Sequence, residues 1–133
     1  MEMKQLTVIM DDRVGLLADL SYLLGKAKVN IEAITVEVHG GKAIINLVVK
    51  DGPKASSVLK ANSYHVLASE MLVVKIKDEP GELSALSKKL QEARINIVNL
   101  YLLVRGDGFC INALTVDKPA KARKALEPYL VKP

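Results

Sequence analysis

The chain has 133 residues, of which 50% are hydrophobic and only 4% aromatic, with no Trp and a single Phe. This composition predicts an aliphatic buried core, and it argues against a disordered chain and against a protein that stacks nucleic-acid bases on aromatic rings. The 19 basic and 15 acidic residues give a net charge of +4, a mild excess that favours solubility over nucleic-acid binding.

Cysteine content and hydropathy predict a soluble protein of the cytoplasm. The single cysteine, Cys110, cannot form an internal disulfide and is typical of a reducing compartment. The first residues lead into a strand-like pattern without the apolar core of a signal peptide. No apolar run approaches the roughly 18 residues that a membrane helix needs, so no membrane partner is expected.

The first half of the chain predicts the element order strand, helix, strand, strand, helix, strand. Leu6, Val8 and Met10 alternate as in a strand, whereas the leucines that follow Gly15 recur at helical spacing. Gly40 and Gly41 predict a hairpin turn, because consecutive glycines accept positive φ. The predicted strands are 4–10, 31–39, 43–49 and 64–67, and the predicted helices are 17–27 and 53–61.

The second half repeats this plan 66 positions later. Between 12–34 and 78–100, nine of 23 positions are identical, where chance would give about one or two. Further identities at the same offset are Gly40/Gly106, Asn46/Asn112, Asp51/Asp117 and Pro53/Pro119. We therefore predict two ferredoxin-like βαββαβ units, residues 1–68 and 69–133, each an α+β fold with helices on one face of a four-stranded antiparallel sheet.

The turn before the first helix of each half is the strongest candidate site. Gly15 and Gly81 leave room for a ligand to approach the backbone, and the helix that follows offers unpaired N–H groups suited to a small carboxylate. Asp12 and Asp78 either accept a hydrogen bond from a ligand ammonium group or cap the helix. The sequence leaves both interpretations open.

Asn30 and Asn96 occupy matching positions between a helix and a strand. Such an Asn either ends the helix in a left-handed conformation or uses its amide to bind a ligand with both charge types. Asn46 and Asn112 are predicted on the half-exposed sheet face or at an interface, Cys110 as an inert small hydrophobic residue, and the two histidines at the surface or a boundary. No nucleophile–base pair, phosphate loop or metal cluster is apparent, so no enzyme activity or cofactor is predicted.

These motifs resemble the ACT domain. The matching residues are Asp78-Glu79-Pro80-Gly81-Glu82-Leu83 with Ile95-Asn96-Ile97, and Asp12-Arg13-Val14-Gly15-Leu16-Leu17 with Val29-Asn30-Ile31, where Val14 replaces the usual Pro. The resemblance covers nearly the whole chain. It implies a tandem ACT protein that binds an amino acid at the interface between ACT units and regulates a metabolic enzyme as a separate partner.

The resemblance also implies a set of ligand contacts, in the turn after the first strand and at the Asn that opens the second. Carried over to this sequence, the set is Asp12, Gly15, Asn30, Asp78, Glu79, Pro80, Gly81 and Asn96. Bare sheet faces and edges favour a homodimer. The alternative is an RNA-binding protein of RRM-like topology, which shares the strand–helix order and would stack bases on Phe109 and Tyr101.

Overall fold

The computed structural model describes residues 2–131, and these fall into two compact units, residues 3–69 and residues 70–131 together with Glu2. Each unit has its own cluster of buried apolar side chains. The outer ends of the predicted domains, residues 1 and 133, lie outside the described residues.

The first unit is a four-stranded antiparallel sheet with two helices. β3 pairs antiparallel with both β1 and β2, and the strand order is β2-β3-β1-β4, as expected for a ferredoxin-like sheet. The elements are β1 (Lys4–Asp11), α1 (Leu16–Lys26), β2 (Ala33–His39), β3 (Lys42–Val49), α2 (Gly52–Ala61) and β4 (Val66–Glu70).

One face of this sheet forms the core together with the helices. Leu6 and Val8 on β1 pair with Leu47 and Ile45 on β3, and all four side chains are fully buried. The same apolar cluster contains the leucines of α1 that recur every four residues, Leu16, Leu20 and Leu24. The period of two in the strands and the period of about four in the helix therefore meet on one face. The helical stripe that the sequence predicts is Leu17, Leu20, Leu24 and Ala27; Leu17 is 42% exposed and Leu16 lies in the core instead, so that part of the prediction is wrong.

The second unit repeats the plan with a shortened last strand. Its sheet has the order β5-β7-β6, and a single bridge between Val74 and Leu130 stands where the first unit has β4. The elements are β5 (Leu72–Lys77), α3 (Glu82–Glu92), β6 (Ile97–Gly106), β7 (Phe109–Val116), α4 (Pro119–Ala125) and a 3-10 turn (Glu127–Tyr129). The predicted fold class, two ferredoxin-like α+β units, is confirmed.

The offset between the copies changes from 66 to 67 within the second unit. The register of β6 against β7 shifts between Leu102 and Val104, where Leu103 is an extra, bulged residue. The hairpin turn is consequently Asp107-Gly108, both at positive φ, and it matches Gly40-Gly41 at an offset of 67. The identities predicted at 66 beyond this point are coincidental.

Asn112 does not lie on the half-exposed sheet face, so that prediction is wrong. The bulge places Asn112 opposite the buried Val74, on the helix-covered face, where it is 3% exposed and its Nδ2 donates to Cys110 Sγ at 3.4 Å. Asn46 lies on the other face of its sheet, where its Oδ1 accepts from Thr7 Oγ1 at 2.7 Å. A one-residue insertion reverses the face of every following strand residue, which explains the difference.

Candidate functional site

Each candidate turn is held by a hydrogen bond to the neighbouring hairpin. The Asp12 N–H donates to the Gly41 carbonyl at 2.8 Å, and the Asp78 N–H donates to the Gly108 carbonyl at 2.9 Å. Gly15 and Gly81 follow at φ values of 85° and 90°, in the left-handed region that favours glycine. The glycines therefore allow each strand to turn directly into its helix.

No side chain caps either helix, so the capping role considered for Asp12 and Asp78 is wrong. In α3 the Glu82 and Ala85 N–H groups donate to Glu79 and Gly81 carbonyls. Within residues 2–131, the N–H groups of Leu83 and Ser84 have no acceptor. The start of α3 thus presents two exposed backbone donors at the positive end of the helix dipole.

The two glycine turns differ in how open they are. No heavy atom comes within 4 Å of the position that a Cβ would take at Gly81. At Gly15 the Arg13 side chain folds back, with one guanidinium nitrogen 4.0 Å from that position and another 2.7 Å from Asp19 Oδ2. The hydrogen bond with Asp19, together with the nearby Tyr64 hydroxyl, raises the pKa of Arg13.

The acidic residues of the turns have separate roles. Asp78 Oδ2 lies 2.9 Å from Arg105 Nε, so its carboxylate is already neutralised by a cation on β6. Asp12 and Glu79 are exposed, and neither side chain has a hydrogen-bonding or ionic partner among residues 2–131. Glu79 and Pro80 lie at the exposed outer edge of the second turn.

Asn30 and Asn96 do not end the helices, so the left-handed cap considered for them is wrong. The residues at positive φ are Lys28 and Arg94, two positions earlier. The Asn30 amide donates to Glu32 Oε1 at 3.3 Å. Asn96 is fixed through its backbone, which exchanges hydrogen bonds with Asp117, and its exposed side-chain amide has no partner within residues 2–131.

The glycine turn and the asparagine of one unit lie at opposite ends of that unit. Gly81 precedes α3 and Asn96 follows it, and the 11-residue helix between them spans about 16 Å. The pairing confirms this separation, because Asp78 bonds to the residue before β7 and Asn96 to the residue after it. One amino acid, whose two charged groups share a carbon atom, cannot contact both within a unit.

Arg105 and Asp117 are site residues that the sequence reasoning missed. Arg105 reaches Asp78 because the hairpin tip lies beside the glycine turn, and Asp117 holds the Asn96 backbone at the other end of the sheet. A basic residue just before a predicted hairpin turn was the available signal for Arg105. The Asp51/Asp117 identity obscured Asp117, because Asp51 instead caps α2 through the Lys54 N–H.

Comparison with known proteins assigns the family. The family described as an ACT domain pair matches residues 1–129, almost the entire chain. The chain belongs to the ACT domain pair family. ACT domains are regulatory modules that bind small-molecule ligands, and the two units here are the two ACT domains of the pair.

Solved structures share the fold of this ACT domain pair. A protein from Bacteroides thetaiotaomicron is 21% identical, with a TM-score of 0.87 over 98% of this chain and 92% of that one. The regulatory subunits of aspartate kinase from Thermus thermophilus and Thermus flavus are each 14% identical, with TM-scores of 0.69 and 0.66 over 96% of this chain and 92% of theirs. No curated protein matches the chain.

Other kinds of site receive little support from the described residues. Tyr101 is 9% exposed, so it offers no stacking surface for RNA, and Phe109 already lies beneath Lys75, whose Nζ is 4.6 Å from the ring centroid. Residues 2–131 contain no cluster of three or more His, Cys, Asp or Glu that could hold a metal ion. Over the same residues, no helix has the length and apolar character needed to cross a membrane.

Proposed function

We propose that this ACT domain pair is a non-enzymatic regulatory module that binds a free amino acid at the turn formed by Asp78, Glu79, Pro80 and Gly81. The observation that carries the proposal is the open glycine turn. No heavy atom lies within 4 Å of the position that a Cβ would take at Gly81. The Leu83 and Ser84 N–H groups that follow it have no acceptor among residues 2–131. These donors and the helix dipole suit the ligand carboxylate.

The ammonium group of the ligand needs an acceptor close to that turn. Asp78 is paired with Arg105, and the Asn96 amide of the same domain is about one helix length away. An amide from another ACT domain can satisfy it. We assign this role to Asn30 or Asn96 of a second copy of the chain, so that the ligand lies at the interface between ACT domains of a homodimer.

Such a ligand would act by shifting a conformational equilibrium. Binding across two domains favours the arrangement in which both contacts are made, and the free energy available is the difference in affinity between arrangements. A metabolic enzyme that recognises one arrangement would then be regulated by the amino acid as a separate partner. This role needs no catalytic residue in the chain.

The test is an amino-acid screen by thermal shift, followed by calorimetric titration of Gly81→Ala. A ligand at 100 times its Kd stabilises the protein by about 2.7 kcal/mol, a readily measured shift. A methyl group at Gly81 lies in the path of the carboxylate, so affinity should fall at least about tenfold.

The matched control is Gly41→Ala in the first hairpin. Gly41 has φ +78° and nothing within 4 Å of the added Cβ, so it carries a comparable backbone strain without adjoining the α3 turn. The affinity of the Gly41→Ala variant for the amino acid should equal that of the unaltered protein. If no amino acid at millimolar concentration raises Tm, or if the two variants lose affinity equally, the proposal is wrong.

A further inference from the structure

A cavity of about 490 Å³ opens beside the end of α2, away from the α3 turn. The chain leaves the helix through Asn62, turns at Ser63 with φ 69°, and enters β4 at Val66. Backbone bonds from Ser63 to Lys60 and from Tyr64 to Leu59 hold this reversal. The lining residues are Lys60, Ser63, Tyr64, His65, Val66 and Leu67.

The polar lining of the cavity consists of one ammonium group, one imidazole and two hydroxyls, without an acidic side chain. Lys60 and His65 are exposed, and neither has an acceptor for its side chain within residues 2–131. The Arg13 guanidinium, which is paired with Asp19, lies beside the Tyr64 hydroxyl at this side of the domain. Val66 and Leu67 supply an apolar wall, on which Leu67 is 67% exposed.

The second ACT domain has the opposite charge at the corresponding positions. At the offset of 67 that holds beyond the bulge, the buried Leu59 corresponds to the buried Leu126, and Lys60 after it corresponds to Glu127. At the offset of 66 that holds before it, Arg13 corresponds to Glu79. The two copies share a backbone plan, so the cationic cavity is a property of the first domain's side chains.

We propose that this cavity binds a small phosphate monoester with its phosphate on Lys60, Ser63 and His65 and its organic group against Val66 and Leu67. A phosphate dianion has several acceptor oxygens and can accept hydrogen bonds from the Lys60 ammonium group, an imidazole N–H of His65 and the Ser63 hydroxyl together. A carboxylate carries one negative charge and would leave part of this donor set unpaired. The ligand therefore differs in class from the amino acid at the α3 turn.

The test is an NMR titration of the full chain with phenyl phosphate, following the backbone amides. We expect saturable shifts confined to residues 60–67 and Arg13. Benzoate and inorganic phosphate each lack one part of the recognised ligand, so each should bind at least about tenfold more weakly. Equal binding of benzoate would overturn the phosphate assignment, and equal binding of inorganic phosphate would overturn the role of the apolar wall.

Lys60→Glu and Lys54→Glu form a matched pair of variants. Both lysines are exposed on α2, but only Lys60 lines the cavity, so both chains should fold and carry the same net charge. Lys60→Glu should lower the affinity for phenyl phosphate at least about tenfold. Lys54→Glu should lower it by less than about threefold, because solvent screens the charge at that position. Equal losses in both variants, shifts outside the cavity, or the same shifts on concentrating the protein alone would each overturn the proposal.

Discussion

Single ion pairs join each glycine turn to the hairpin next to it, and they differ between the copies. Lys42 at the start of β3 pairs with Asp11 at the end of β1, whereas Arg105 at the end of β6 pairs with Asp78 in the turn itself. All four side chains are partly or largely exposed, so these pairs contribute little to stability. Their effect is local: in the first copy Asp11 is paired and the Asp12 carboxylate in the turn stays available, whereas in the second copy Asp78 in the turn is itself paired.

Removing Lys42 should raise the pKa of Asp11. The Lys42 hydrogen bond, and then its charge, hold that pKa below the ordinary value. A lowered pKa in the folded state stabilises the fold above the unfolded-state pKa of Asp11, and this contribution is lost as the pH falls through the lowered value. In Lys42→Met we expect the Asp11 carboxylate to titrate at higher pH, measured by NMR of its side-chain carbon.

The control for this prediction is Lys50→Met. Lys50 lies 3.8 Å from Glu32 and does not contact Asp11, so its loss removes one charge and leaves the Asp11 pair intact. The Asp11 titration should be the same as in the unaltered protein. An Asp11 pKa that stays low without Lys42, or that rises equally in both variants, would show that the ion pair is not formed in solution.

Among the elements, α1 and α3 begin in the same way, but the glycine before α3 and the glycine within α1 should have opposite effects on stability when each is replaced by alanine. Gly81 has φ +90° at the start of α3, while Gly25 lies within α1 at an ordinary helical φ. Neither has a heavy atom within 4 Å of the position that a Cβ would take. Substitution by Ala therefore tests backbone conformation alone at both positions.

Gly81→Ala should lower the free energy of unfolding by about 1–2 kcal/mol, because an L-residue is strained in the left-handed region. Gly25→Ala should raise the same quantity by about 0.5–1 kcal/mol, because alanine loses less entropy in a helix. Urea unfolding followed by circular dichroism measures both. Loss of stability in Gly25→Ala would contradict its helical conformation within α1, and unchanged stability in Gly81→Ala would contradict the left-handed conformation at the start of α3.

The sequence predicts the first half of each domain better than the second half, for a physical reason. Up to Asn30 and Asn96 the copies align at one offset, and the strand, turn and helix follow from alternation, glycine and helical spacing. The bulge at Leu103 has no signature in an apolar run such as 100–104, yet it moves Asn112 to the buried face. Contacts such as Asp78 with Arg105 depend on tertiary placement, which periodicity does not encode.

Considered as a whole molecule, the chain carries two copies of one domain whose corresponding ends have diverged in charge. The first domain has Arg13 in its glycine turn and Lys60 at the cavity beside the end of α2, whereas the second has Glu79 and Glu127 at the corresponding positions. The backbone plan is retained while the side chains around the turn differ. A duplicated fold can in this way acquire two ligand specificities without a second architecture.

This asymmetry predicts that each chain binds about one amino acid, at the α3 turn. At Gly15 the approach is occupied by Arg13, whose guanidinium is held by Asp19, and Val14 replaces the Pro that shapes the second turn. Calorimetry should give a stoichiometry near one per chain. Gly15→Ala should leave the affinity unchanged, whereas Gly81→Ala should lower it at least about tenfold. Two equivalent sites per chain, or loss of binding in Gly15→Ala alone, would mean that Arg13 recruits the ligand carboxylate instead of blocking it.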